Sequence, residues 1–235
     1  DVYKRQVSRG GFRNFKVKNI KIYDTYRSAI TFAAVDGALI ENIEVDGVRS
    51  IHTGNVIYLR IGDRWSAGKK PIMKNITIKN VYAEIPMDKP DAGYNYEGPI
   101  EDLPRNISPA SIVGLPEYKI QNVTLQNIEI VSPGGGNPNY AYRGLAPAEL
   151  DSIPEMATSY PEFSQFKELP AWGFYIRHAE GITFDNVTFK ALKKDYRPAI
   201  VMDDAGEVTF KDVRFIEPEG EGKKQIFPYK SKVIK

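Results

Sequence analysis

Cysteine is absent from the 235 residues of this chain, which excludes a disulfide framework and any thiolate metal site. No apolar run reaches the length of about 18 residues needed for a membrane-spanning helix. Neither sign of charge dominates: 32 basic and 30 acidic residues leave a formal charge of +2, without the concentrated basic face expected of a nucleic-acid-binding protein. Histidine is limited to His52 and His178, with no second ligand at a zinc-like spacing, so no metal and no cofactor is expected. Convincing helical periodicity is missing too. No basic stretch followed by an apolar one opens the chain, so no signal peptide is visible. The opening Asp1-Val-Tyr-Lys-Arg-Gln lacks an initiator Met and fits no repeat, and residues 1–6 are read as stray residues at the start of a fragment.

What the chain does have is one short phrase used six times, Asn or Asp followed by apolar, polar, apolar. It begins at Asn19, Asn42, Asn75, Asn122, Asn186 and Asp212, at successive distances of 23, 33, 47, 64 and 26 residues. A repeated supersecondary unit with a basic length of about 23 residues would throw its excess out as loops beside a regular core. Each phrase after the first is preceded by a second alternating run: Ser28-Ala-Ile-Thr-Phe, Val56-Ile-Tyr-Leu-Arg-Ile, Ala110-Ser-Ile-Val, Gly173-Phe-Tyr-Ile-Arg and Pro198-Ala-Ile-Val-Met. Period-two alternation of β-branched and aromatic residues is the pattern of strands with one buried face. Turn signals such as Val35-Asp-Gly and Gly62-Asp-Arg separate the runs.

These features predict an all-β chain, a parallel β-helix solenoid of about five to six coils with long loop insertions. In such a stack each strand pairs with its equivalent at about 4.8 Å, so matching asparagines form a column of side-chain amide hydrogen bonds. Asn75, Asn106, Asn122 and Asn186 also open Asn-x-Ser/Thr triplets. Three of the four are repeat positions, so the column reading is preferred to glycan acceptors. The insertions are placed at Gly62 to Pro71, Pro86 to Ile107 and Ser132 to Pro170, the last with a short helical turn around Pro147 to Ile153. Residues 7–216 form the β domain, and 217–235 a tail or terminal cap in which Ile226, Phe227 and Tyr229 fold back over an exposed edge.

Three segments carry a resemblance: Tyr26 to Asn80, Tyr94 to Pro116 (YNYEGPIEDLPRNISPASIVGLP) and Tyr160 to Phe189 (YPEFSQFKELPAWGFYIRHAEGITFDNVTF). Together they resemble the C-terminal half of bacterial glycoside hydrolase family 28 proteins, the polygalacturonases and their relatives. The resemblance implies a right-handed parallel β-helix and hydrolysis of pectic chains with inversion, by aspartates on adjacent strands followed by a His-Gly pair and an Arg-x-Lys motif. The aspartate motifs would precede Tyr26, so the catalytic residues are unknown and are expected upstream of residue 1. Arg27-Ser28 stands where His-Gly is expected, and Arg60-Ile61-Gly62 keeps the Arg of Arg-x-Lys but not the Lys.

Arg27, Ser28 and Arg60 are accordingly expected to bind substrate, with Arg64 as a replacement for the missing cation and Tyr58 on the same strand as Arg60. His52, Arg177 and His178 border the expected groove, and loop aromatics led by Tyr94 and Tyr96 would stack on sugar rings; Trp65, Tyr140, Tyr142, Tyr160 and Trp172 belong to the same group. Asp203-Asp204 is read as a turn, since neighbouring residues in a strand point to opposite faces. Glu97, Glu101 and Asp102 show no spacing that singles out a catalytic pair.

The expected function is that of part of a glycoside hydrolase acting on an acidic, pectic, galacturonan-like polysaccharide by inverting acid/base hydrolysis, the fragment alone being inactive. The partner would be that polysaccharide, with no nucleic acid and no membrane span, for a monomer that is secreted or periplasmic in its full-length bacterial form. Two alternatives stay open. One is a carbohydrate-binding or catalytically dead β-helix; the other is a polysaccharide lyase or epimerase on the same fold.

Overall fold

A computed structural model of the protein describes residues 9–88, 106–141, 143–218 and 223–234. The strands are β1 (Gly11–Ala34), β2 (Leu39–Ile61), β3 (Ile72–Glu84), β4 (Ala110–Val113), β5 (Ile120–Gly134), β6 (Phe174–Lys193), β7 (Ile200–Ile216), β8 (Ile226–Tyr229) and β9 (Val233–Ile234). One short helix, α1 (Pro147–Asp151), lies where a helical turn was expected. Among the described residues no helix is long and apolar enough to cross a membrane.

Strands as long as β1 and β2 bend without breaking because single residues take the left-handed conformation. These corners fall five residues apart: Asn14 and Asn19, Asn42 and Gly47, Asn75 and Asn80, Asn122 and Asn127, Gly181 and Asn186, Glu207 and Asp212. The eight asparagines among them have φ between 53° and 57°, a region that Asn tolerates better than other residues with a Cβ. Parallel pairing brings equivalent corners side by side, and their amides link across strands. Asn42 donates to Asn14, Asn75 to Asn42 and Asn122 to Asn75, at 3.0, 3.0 and 3.1 Å. A second ladder runs from Asn186 through Asn127 and Asn80 to Asp46, at 2.9, 3.2 and 2.7 Å.

The amide columns are as expected, but there are two of them. Asn42, Asn75 and Asn122 belong to the first corner, whereas Asn19, Asn186 and Asp212 belong to the second. Their phrases look alike because both corners are followed by an outward-inward alternation. Counted within one ladder, equivalent residues are separated by 28, 33, 47 and 59 positions, and by 26 from His178 to Asp204. The basic length is therefore 26 to 28 and not 23. Asn106, the fourth triplet, lies in neither ladder and is buried in a separate polar network.

The expected right-handed β-helix solenoid is corrected by the order of the strands. β2 pairs with β3, β3 with β5, β5 with β6, β6 with β4, and β4 again with β2, every pair parallel. The pairings close into a ring, a five-strand parallel barrel with β1, β7, β8 and β9 as extra strands, and not a right-handed β-helix. The short strand β4 is what closes it. Alternation in the sequence reports which face of a strand is buried and cannot report that four residues bridge two longer strands at once.

Gly114 follows β4 at this closure, where its N–H donates to the Arg177 carbonyl at 2.9 Å. A Cβ there would lie 2.3 Å from the His178 carbonyl oxygen, a backbone atom that cannot swing aside. Gly114→Ala is expected to weaken the fold by about 1–3 kcal/mol, the usual range for overpacking, read as a lower urea midpoint.

Ile57, Leu59 and Ile61 of β2 point into the main core with Phe174, Phe184 and Phe189 of β6. Tyr58, Val113, Tyr175 and Val201 point the other way and meet Leu150, Ile153, Phe163 and Phe166, forming a second apolar layer. The insertion expected between Ser132 and Pro170 is thus packed down over an outer face instead of standing beside it. At the far end β8 and β9 both pair with β7, and Phe227 and Tyr229 pack against the second layer.

Candidate functional site

Strand pairing lines up the residues that end the second alternating runs. Arg60 lies beside Val113, Val113 beside Arg177, Arg177 beside Asp203 and Asp203 beside Tyr229. Since Leu59 and Ile61 face the core, Arg60 faces the layer beneath the insertion, where only 2% of it is exposed. Its guanidinium donates to the Glu155 carbonyl at 2.6 Å and lies 5.1 Å from the centre of the Phe166 ring. Burial pulls its pKa down from the ordinary arginine value, with the nearby Arg177 charge acting in the same direction.

Arg177 is the hub. It donates to the Ile153 carbonyl at 2.6 Å, meets Glu155 Oε1 at 2.8 Å, and has Nε 3.0 Å from Asp203 Oδ2. The last contact is out of line for a hydrogen bond, so it is a Coulombic pair. The next residue, His178, takes a left-handed corner at φ 50° and presents its ring to two carboxylates. Nδ1 lies 2.7 Å from Asp204 Oδ2, and Nε2 lies 3.0 Å from Glu155 Oε2. Lys119 reaches the other oxygen of Asp204 at 2.9 Å.

The three carboxyl groups are driven apart. Burial raises the Asp203 pKa, and the facing charges of Arg177 and His178 only partly oppose it. Glu155 is lowered: burial would raise it, but the hydrogen bond with His178 and the charges of Arg177 and Arg60 outweigh that. Asp204 is also lowered, burial being outweighed by Lys119 and His178. Tyr58 and Tyr175, on the same outer layer, are pushed up by burial. Carboxyl groups held in unlike protonation tendencies around cations are a feature of acid/base sites and of structural ion networks alike.

Of the residues expected to bind substrate, Arg60, Tyr58, Arg177 and His178 come together, but under the insertion and almost wholly buried. Arg27 pairs with Glu162 of the same insertion. Ser28 donates to Asn55, which in turn holds the Pro109 carbonyl. Arg64 makes a two-point contact with Asp36 at 3.1 and 3.0 Å and lies over Trp65. His52 is exposed at a corner beside Asp24 and belongs to none of these groups. Trp65 and Tyr140 are exposed, whereas Trp172 is in the core. Tyr94, Tyr96, Tyr142, Glu97, Glu101 and Asp102 lie outside the described residues.

Glu155, Asp203 and Lys119 are the members that the motif reading missed. Asp203 had a usable signal: aligning Phe174-Tyr-Ile-Arg177 with Ile200-Val-Met-Asp203 sets opposite charges side by side. The turn assigned to Asp203-Asp204 fits Asp204, at φ 49°, while Asp203 is a buried strand residue. No spacing points to Glu155, which reaches the site because the insertion folds over it.

Among the described residues no group of three or more His, Asp or Glu is placed to hold a metal ion. A shallow trough of about 510 Å³ crosses the first amide ladder, lined by Asn14, Lys16, Asn42, Glu44, Asn75 and Thr77, away from the charged cluster. Comparison with protein-family models, curated proteins and solved structures finds no match for this chain.

Proposed function

We propose that the chain binds an acidic polysaccharide of the pectic, galacturonan-like kind, as part of a secreted or periplasmic bacterial glycoside hydrolase that works by inverting acid/base hydrolysis. The observation that carries this reading is the position of the Glu155 carboxylate, 2.8 Å from Arg177 and 3.0 Å from His178. A uronic acid carboxylate would take the same two contacts, and a charge-assisted pair of this kind is what recognition of acidic sugars requires. Glu155 thereby stands in for the ligand. The resemblance of the three sequence segments to family 28 supplies the reaction class, and no catalytic pair is assigned within this chain.

The test is binding of oligogalacturonate and of a neutral oligosaccharide of equal length to the full chain and to Glu155→Gln. Removing the competing charge is expected to tighten oligogalacturonate binding by roughly tenfold, the scale of one charge-assisted hydrogen bond, with no change for the neutral sugar. Equal affinity for the two sugars, or weaker binding by the variant, would sink the reading. Unsaturated products absorbing in the ultraviolet would indicate a lyase instead of a hydrolase.

A non-catalytic binder would use the same Arg177 and His178 contacts, and it differs from the enzyme in needing no catalytic pair. Release of new reducing ends from polygalacturonate by the whole protein separates it from the enzyme.

A further inference from the structure

The segment that brings Glu155 to the arginines is fastened at its ends and lightly held between them. Ile153 and Phe163 are each 2% exposed in the second apolar layer, whereas Pro154 and Thr158 are exposed and the residues around them half-buried. Residues 154–161 thus form a strap across the outer face. Within it Met156 has φ 51°, a left-handed value that is costly for a side chain of this kind and persists only where the surroundings impose it.

The contacts that impose it are ones an acidic sugar could replace. Glu155 gives its carboxylate to Arg177 and His178 and its backbone carbonyl to Arg60, the last at 2.6 Å. A uronate unit offers the same pair, a carboxylate with neutral oxygens beside it. Neither arginine depends on the strap alone for its place. Arg60 also donates to the Gly114 carbonyl at 3.4 Å, and Arg177 has Asp203 at 3.0 Å, so both cations keep an anchor when the strap is lifted.

The path of the strap depends on a glycine. A Cβ on Gly62 would lie 2.8 Å from the Ala157 carbonyl oxygen, the atom that accepts the Asp63 N–H at 2.7 Å. Gly62 is also where the Arg-x-Lys pattern is broken. The departure from that pattern and the room for the strap therefore fall on one residue.

We propose that residues 154–161 are an autoinhibitory strap, with Glu155 as an internal competitor, and that an acidic sugar binds by displacing them as a unit between the Ile153 and Phe163 anchors. The inference rests on the reading of Arg177 and His178 as carboxylate binders and adds to it a closed resting state. Affinity is then reduced by the fraction of molecules whose strap is open.

The test is amide exchange by NMR on the full chain, with oligogalacturonate and with a neutral oligosaccharide of equal length. The Asp63 N–H is the reporter, because its acceptor belongs to the strap. Its exchange is expected to quicken at least about tenfold with saturating oligogalacturonate and to be unchanged by the neutral sugar. Gly62→Ala should quicken it without ligand and tighten oligogalacturonate binding by at least about fivefold, since the added methyl penalises only the closed state. The response of the unaltered protein decides the matter even where that variant folds poorly. Oligogalacturonate that binds without quickening Asp63 exchange overturns the strap and leaves the carboxylate reading standing. A folded Gly62→Ala protein with unchanged affinity, or with an equal gain for both sugars, does the same. Equal binding of the two sugars by the unaltered protein, or binding of neither, overturns both.

Discussion

Asp195→Ala will remove about 3–5 kcal/mol of folding stability, the range found when one partner of a buried ion pair is deleted. The Asp195 side chain is completely buried, and Arg197 meets it twice, Nε at 3.0 Å and Nη2 at 3.1 Å. The same guanidinium donates to the Ile107 and Leu169 carbonyls, and Gly136 N–H donates to Asp195. Without the carboxylate, a buried cation is left with two carbonyls and with Glu168 at a distant 3.9 Å. Urea unfolding of both proteins measures the loss, and equal midpoints would show that the pair is dispensable.

The pH dependence has a definite sign. Burial would raise the Asp195 pKa, but the hydrogen bonds and charge of Arg197, helped by the Arg197 and Gly136 N–H groups, hold it below the usual carboxylate range. A depressed folded-state value means that the contribution is complete above the unfolded pKa of about 4 and is lost as pH falls through the folded one. The wild type should therefore lose stability in acid more steeply than Asp195→Ala.

Phe189→Ala will cost a similar amount, about 3–5 kcal/mol, by opening a cavity in the main core. Phe189 is fully buried, stacked on Phe215 at 5.8 Å and edge-on to Trp172 and Phe174, both at 6.4 Å. Its neighbours come from separate places, Phe215 from β7, Phe174 from the start of β6 and Trp172 from the segment before it, so collapse of one side chain cannot refill the space. A urea midpoint matching that of a surface substitution would refute this.

Strand content was legible because alternation and burial are local: the runs beginning at Val56, Ala110 and Gly173 lie in β2, β4 and β6. The amide columns were legible because Asn suits a left-handed corner. Their division into two was not, since Asn19 and Asn42 sit in like phrases while pairing with Gly47 and Asn14. Closure of the ring depends on β4 meeting β2 and β6, a non-local fact. At the site, Arg60 and Arg177 stood out by their places in the strands, but their cover did not. Glu155 and Glu162 reach Arg177 and Arg27 only after the insertion folds back.

The five-residue interval between corners makes the chain unequally tolerant of changes in length. Equivalent asparagines stay hydrogen-bonded although 28 residues separate one pair and 59 another, so segments between strands can lengthen at small entropic cost. A single deletion between Asn75 and Asn80 is different. It would exchange the inward Ile76 and Ile78 with the outward Thr77 and Lys79 up to the next corner, and it would pull Asn80 out of line with Asp46 and Asn127. Long additions are admissible in this chain where the loss of one residue is not.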